Sequence, residues 1–479
     1  MASATGNRDS HIPVTFRTDL RSLPQHVRDA FRYLYEACGE IDKLYLFSRG
    51  QDLAAQQGIF DNTKPLAVWP MDLSQHELKE YLAHHPEESE AILSPFAVVS
   101  RDQAGKFSMA PYSVAYKDFL EPAATLIEKA AYLLGEYPKF QHFLKARAQS
   151  FRDGNFLASD REWVHATDAP IELILGPMEC YEDTLRNIKR EFEGILMLVP
   201  PEAERELARF QESVRPYDEM LGLHYGYHPK SVLTPMRVVD VVALAGEARY
   251  RYITMACNLP NDPEILQDVG SKKTFFRQVI ESKLKELVMP IMERVFDERS
   301  RPTPSGENYL HRTLGHELSH GLTFRFNGED FGELAMPLEE SKADVFGNLF
   351  LYFLEKRGVV RHGDADHGAL VHIADLIRQV RFGLEEAHAM GALMQWNWLE
   401  HEGVIEVKEG KLLVAEKLLE EAYQALGDAF YKLAAGKSET EARTFVKNWS
   451  TVTTSLRTLT ALVTDVPVDI DPQIELCWE

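Results

Sequence analysis

The sequence predicts an α+β protein that is predominantly helical, and three observations carry that reading. Apolar residues recur at helical spacing along most of the chain. Strand-like runs fall mostly before residue 262 and helical runs mostly after it. The 479 residues, 45% of them hydrophobic, suffice for two or three domains or one large two-lobed enzyme. Segregated strands and helices point to an α+β lobe followed by a helical lobe, not to a βαβ array.

Residues 24–48 place Val27, Phe31, Leu34 and Tyr35 on one helical stripe, and 113–150 read as two helices around a turn at 135–138. Strand patterns follow at 170–177, 193–199 and 237–244. Segment 271–296 carries Phe276, Ile280, Leu284, Leu287 and Ile291 on one stripe, which predicts a helix. Long helices are expected at 337–357, 368–402 and 415–435, with a hairpin turning at 408–411. The tail at 464–472 is extended and needs a sheet to join.

Lys and Arg total 52 against 74 Asp and Glu, a formal charge of -22. Such a field repels phosphates, so neither nucleic acid nor an anionic membrane surface is expected as a partner. It suits cationic ligands or metals, although a solvated acidic surface is the plainer and preferred reading. Cys38, Cys180, Cys257 and Cys477 form no close pair and read as reduced thiols. Without a signal-type leader or an apolar run of about 18 residues, a soluble cytoplasmic protein is the expectation.

The sharpest motif is His316-Glu317-Leu318-Ser319-His320. On a helix, residues four apart share a face, so both imidazoles can reach one metal ion with Glu317 beside them. Twenty residues after His320 stands Glu340, with Asp344 one turn further on. That pair suits a carboxylate ligand plus a carboxylate that holds a ligating imidazole by its far nitrogen. Glu339 has only Ala343 in the corresponding place, which makes Glu340 the better ligand. Taken alone the second motif also fits an acidic helix start; coupled to the first, it favours a metal site. Two histidines and a carboxylate point to one zinc ion with an open position for water, other divalent ions being able to substitute, and Glu317 is then the general base of a hydrolase.

Through these residues the sequence resembles the dipeptidyl-peptidase III family of zinc exopeptidases, peptidase family M49, and especially its shorter members, which also occur fused to Nudix domains. Gly176-Pro177-Met178-Glu179-Cys180-Tyr181-Glu182-Asp183 with Arg190-Glu191-Phe192-Glu193-Gly194 is similar to the family's substrate-lobe segment. Cys257-Asn258-Leu259-Pro260-Asn261-Asp262 matches its asparagine pair, and Arg381-Phe382-Gly383 with Glu386-Ala387-His388 resembles the stretch around a catalytic histidine.

The resemblance implies two lobes separated by a cleft, a helical zinc-bearing lobe and a mixed lobe with a small β-barrel. It divides the chain into a mixed substrate lobe at 1–200, a helical segment at 201–235 and a return to the mixed lobe at 236–267. The helical catalytic lobe follows at 268–436, and 437–479 returns to the mixed lobe. It also implies release of dipeptides from peptide N-termini. Zinc would be held by His316, His320 and Glu340, with Asp344 behind them and Glu317 as base. Tyr181 and His388 would stabilise the oxyanion, while Glu179, Asn258 and Asn261 would bind the substrate's amine and backbone.

Each of these assignments has a plainer counterpart in the residues themselves. Glu179 and Tyr181, two apart and so expected on one strand face, would be a cross-strand surface pair; the asparagines would bond their own turn; His388 would be a buried structural histidine. The zinc motif is a regular pentapeptide where longer family members carry an extra residue. The stretch after His388 lacks the arginine those members have nearby. Two other functions therefore stand beside peptide cleavage: a zinc hydrolase or lyase for a non-peptide small molecule, and a zinc-stabilised binding protein. Retention of Glu317 argues against the latter, since a structural site needs no base.

Overall fold

A computed structural model describes residues 11–51, 60–61, 63–231, 234–251, 254–301, 304–383 and 387–478. The chain divides into two units, one of Thr15–Glu204, Thr234–Phe276 and Pro472–Glu479, the other of Met1–Val14, Arg205–Leu233 and Arg277–Asp471. The first mixes sheet and helix and the second is mainly helical, so the protein is α+β with helix predominant.

Strand β1 (His11–Asp19) pairs with β11 (Asp469–Cys477), and β2 (Ala97–Arg101) with β3 (Phe107–Pro111). The main sheet of the mixed unit contains β4 (Ile171–Glu179), β5 (Glu191–Leu198), β6 (Met236–Gly246), β7 (Ala256–Leu259) and β8 (Lys272–Phe276) in the order β4-β5-β6-β8-β7. All its pairings are antiparallel except β6 with β8. Its central strands are buried along nearly their whole length, which explains their continuous apolar reading. Helix α1 (Gln25–Phe47) packs on β5 and β6, and Val27, Phe31, Leu34, Cys38 and Ile41 are among its buried residues. Tyr35, expected on that stripe, is 47% exposed. Helices α2 (Lys117–Leu133) and α3 (Pro138–Asp153) stack outward from α1.

The expected small β-barrel is absent among the described residues. Closure would need a ladder between edge strands β4 and β7, and none forms. β7 is only four residues long, and a side-chain bond from Asn261 to Glu179 stands at that edge instead.

The expected helix at 271–296 is also corrected at its start. Lys272–Phe276 is strand β8, fully buried and parallel to β6, and the helix begins at Arg277. A short apolar run of that kind has no periodicity to separate strand from helix. The helix then widens into a π turn at Leu284–Val288 just ahead of Pro290, which has no N–H to bond residue 286.

In the helical unit, α4 (Pro201–Tyr225) is followed by α5 (Gly306–Ser319), α6 (Ala335–Lys356), α7 (Asp364–Gln379), α8 (Ala387–His401), α9 (Leu419–Gly436) and α10 (Glu439–Trp449). The single helix expected at 368–402 is two, α7 and α8; Gly383, at φ 107°, leaves the helical region between them. Residues 437–471 belong to this unit, and only Pro472–Glu479 lies with the mixed one. Asn397 on α8 anchors the segment by donating to the carbonyls of Trp449 (2.6 Å) and Thr451 (2.8 Å). The hairpin β9 (Ile405–Lys408) and β10 (Lys411–Val414) forms where its turn is expected.

Helices α5 and α6 approach backbone to backbone. A Cβ on Gly315 would lie 2.8 Å from the Gly347 carbonyl oxygen, and one on Gly347 would lie 2.7 Å from the His316 nitrogen. Two glycines thus set how close the helix bearing His316 comes to the helix bearing Glu340 and Asp344. Gly347→Ala is expected to destabilise the protein by about 1–3 kcal/mol through overpacking. Urea unfolding checks this, and an unchanged midpoint would mean that the helices separate at no cost.

Candidate functional site

Helix α5 starts with a capping box between Ser305 and Asn308 and ends at Ser319, with His320 as its cap residue. His316 and His320 therefore sit one turn apart at its C-terminal end. From α6, Glu340 turns its carboxylate toward both rings. His316 Nε2 and His320 Nε2 are 3.3 Å apart, and Glu340 Oε2 lies 3.4 Å from the first and 3.7 Å from the second. The Oε1 atom of Glu317 is 4.0 Å from His316 Nε2. His316, His320 and Glu340 form a group that could hold a metal ion.

The tautomers explain why a cation belongs among them. His316 Nδ1 lies 2.7 Å from Asp344 Oδ1, and His320 Nδ1 lies 3.0 Å from Glu339 Oε1. A carboxylate only accepts, so each neutral ring carries its proton on Nδ1 and presents a bare lone pair at Nε2. Two lone pairs and a carboxylate oxygen converging at 3.3–3.7 Å repel one another unless a cation or proton intervenes. Ligands about 2.0–2.1 Å from a tetrahedral zinc stand about 3.3 Å apart, so the triangle fits that ion closely.

The surrounding charges draw positive charge toward these groups. Burial opposes charge on His316, but Asp344 and Glu340 raise its pKa to about 9. Burial likewise opposes ionisation of Glu340, which His316, His388 and His320 nevertheless hold well below the carboxylate range. Glu339 is buried too, yet Lys342 and His320 lower it to about 2. The Lys342 Nζ donates to Glu339 Oε1 at 2.7 Å, and the Phe326 backbone N–H to Oε2 at 3.0 Å. Glu339 thus grips His320 as Asp344 grips His316. Sequence reasoning passed it over in favour of Glu340, although His320 lacked a partner for its far nitrogen, and that gap was the available signal.

His388 is not a buried structural residue. Its side chain is 49% exposed, and Nε2 lies 3.3 Å from Glu340 Oε2. Of its neighbours in sequence, Leu384 and Glu386 fall outside the described residues. Other histidines of the helical unit are engaged elsewhere: His311 pairs with Glu206, His362 with Glu355, and His372 is wholly buried.

The mixed unit carries a second cluster. A cavity of about 280 Å³ is lined by Glu179, Tyr181, Glu193, Glu247, Asn258 and Asn261, among others. Asn261 Nδ2 donates to Glu179 Oε1 (2.9 Å) and Oε2 (3.2 Å). Glu179 closes β4 behind a bulge after Pro177, whereas Tyr181 lies beyond the strand in a turn and is 65% exposed. The two therefore do not share a strand face. Asn258, expected in a turn, lies on strand β7. Glu193 and Glu247 were not anticipated as pocket residues. Burial, reinforced by the Glu179 charge, raises Glu193 to about 8, and burial with Glu191, Glu193 and Glu179 raises Glu247 well above its usual range.

A model of peptidase family M49 matches residues 100–329 of the chain. Nudix hydrolase 3 of Arabidopsis thaliana is 28% identical over 381 residues, which are 76% of this chain and 49% of that protein. The chain thus spans about half the length of the curated relative it matches. Among solved structures, DPP III from Caldithrix abyssi superposes with a TM-score of 0.90 at 27% identity, covering 97% of both chains. Dipeptidyl-peptidase III from Corallococcus sp. strain EGB gives 0.77 at 24% identity, covering 97% of this chain and 95% of that one, a likeness of fold.

Two outcomes follow from the electrostatics. Glu339→Gln keeps the shape but removes the charge behind His320, so zinc affinity should fall roughly 10- to 100-fold. Competition with a chelator measures this, and equal affinity would remove the assigned role. Glu193, with its pKa raised from 4.5 to about 8 in the fold, keeps a proton that the unfolded chain releases. Its contribution to stability is therefore lost as pH rises through that window. Glu193→Gln should be more stable than wild type in urea at about pH 9, with the gain vanishing at about pH 4; a gain independent of pH would contradict the shift.

Proposed function

The chain belongs to peptidase family M49, and on that premise we propose that it is a zinc-dependent exopeptidase releasing dipeptides from the N-termini of peptides. The observation that carries this reading is the triangle of His316, His320 and Glu340 with the Glu317 carboxylate at its side. No helix among the described residues is long and apolar enough to cross a membrane.

Zinc bound by that triangle supplies a Lewis acid that brings the pKa of water toward neutrality and polarises the scissile carbonyl. Glu317 accepts the proton of the attacking water and passes it to the leaving amine. Asp344 and Glu339 keep the two rings in the Nδ1–H tautomer and stop them from rotating. His388, through Nε2, and Tyr181, through its phenol, donate hydrogen bonds to the oxygen on which negative charge develops. At the other end of the substrate, Glu179 pairs with the free ammonium while Asn258 and Asn261 bond its backbone. The bond from Asn261 fixes the Glu179 carboxylate before substrate arrives, which favours selection of a free amine over a blocked one.

Cleavage of dipeptidyl arylamides tests the reading. Glu317→Ala should retain zinc yet lose roughly 100- to 10,000-fold in kcat. Glu179→Gln should raise KM for free-amine substrates while leaving the zinc content unchanged. Wild type that holds zinc but cleaves no member of a varied dipeptide panel would refute peptide release and favour a non-peptide substrate.

A further inference from the structure

Behind the metal triangle lies a closed ring of four buried side chains from four helices. Arg312 comes from α5, Asp344 from α6, His372 from α7 and Gln395 from α8, and each is at most 5% exposed. Arg312 Nη2 donates to Asp344 Oδ1 and, at 2.7 Å, to His372 Nδ1. His372 Nε2 lies 2.7 Å from Gln395 Oε1, and Gln395 Nε2 donates to Asp344 Oδ2 at 3.0 Å.

Only one arrangement of protons satisfies this ring. A guanidinium can only donate, so His372 Nδ1 must accept and its proton must sit on Nε2. That N–H then needs an acceptor, which fixes the Gln395 amide with its oxygen toward His372 and its nitrogen toward Asp344. Turning the amide over would set two donors against each other and its oxygen against a carboxylate. Burial and the Arg312 charge lower the His372 pKa to about 4, in keeping with a neutral ring. Asp344 is left with Oδ2 occupied by Gln395, and with Oδ1 shared between Arg312 and the Nδ1–H of His316.

We propose that His372 is a positioning residue for the metal centre: by closing the ring on Asp344 it fixes the carboxylate that orients His316, and it joins α8, the helix bearing His388, to the ligand helices. This rests on the metal-binding reading of His316, His320 and Glu340, but not on any particular substrate. Without His372, one N–H of Arg312 loses its acceptor and Gln395 is free to turn. The Asp344 carboxylate can then swing toward the guanidinium and away from His316. A ring of this kind acts as a unit, because each member is ordered by the next.

The test measures zinc affinity of the full chain by chelator competition, the visible spectrum of the cobalt-substituted protein, and thermal unfolding. His372→Leu should weaken zinc binding roughly tenfold and shift the cobalt spectrum. Gln395→Leu opens the ring on its opposite side and serves if the first variant does not fold; it should give the same change. The two together should cost little more than either alone. His372→Gln offers an acceptor and a donor of its own, and should recover most of the lost affinity. A lowered melting temperature with unchanged zinc affinity and cobalt spectrum would reduce the ring to a structural device and overturn the proposal. Additive losses in the double variant would overturn the claim that it acts as one unit. Wild type that binds neither metal would instead overturn the metal site itself, and this inference with it.

Discussion

The contact between Gly315 and Gly347 is the constraint on which the candidate centre depends. Helix axes usually pack 8–10 Å apart because side chains hold them there. With no side chain at either position, the α5 backbone meets the α6 backbone directly. Glu340 lies two turns before Gly347 and Asp344 one turn before it, so the crossing brings both within reach of His316. The ligands arise from two consecutive helices, and their separation is set by the crossing, not by the loop between them.

Once the helices are that close, electrostatics decides what the buried groups can do. Each imidazole is backed by a carboxylate, and each backing carboxylate is held by a cation: Asp344 by Arg312 and Glu339 by Lys342. Those pairs neutralise the outer layer of charge. The inner layer of Nε2 atoms and Glu340 is left rich in lone pairs and short of a positive charge. Glu317 stands at the edge of this layer, its Oε1 4.0 Å from His316 Nε2. The pocket of the mixed unit follows a different logic. There, Glu179, Glu193 and Glu247 share one cavity; burial raises the pKa of all three, and neighbouring carboxylates raise Glu193 and Glu247 further.

The fold was legible where a face of an element meets water. The stripe of α1 could be read from Val27, Phe31 and Leu34, and the hairpin of β9 and β10 from its turn residues. Elements buried on all sides were harder to place. Strand β8 reads like the helix that follows it, since all five of its residues are buried and none marks a solvent face. The division of 368–402 into two helices rests on the conformation of Gly383, which a glycine permits without dictating. Helix α5 is buried almost throughout, and Arg312 on it is enclosed by Asp344 and His372, which no local pattern marks.

The sequence by itself determined the fold class and singled out three candidate metal ligands with a candidate base beside them, because helical spacing places residues four apart on one face wherever the helix lies. Tertiary structure alone decided which carboxylate backs which imidazole. Glu339 and Glu340 are adjacent, and only the crossing angle of α5 and α6 sends one to Nδ1 of His320 and the other to the two Nε2 atoms. It alone brought Arg312, His372 and Gln395 together, since contacts between helices distant in sequence leave no local pattern. It likewise made Glu193 and Glu247 partners of Glu179, because a sheet's register, not the spacing of its residues, decides which side chains share a cavity.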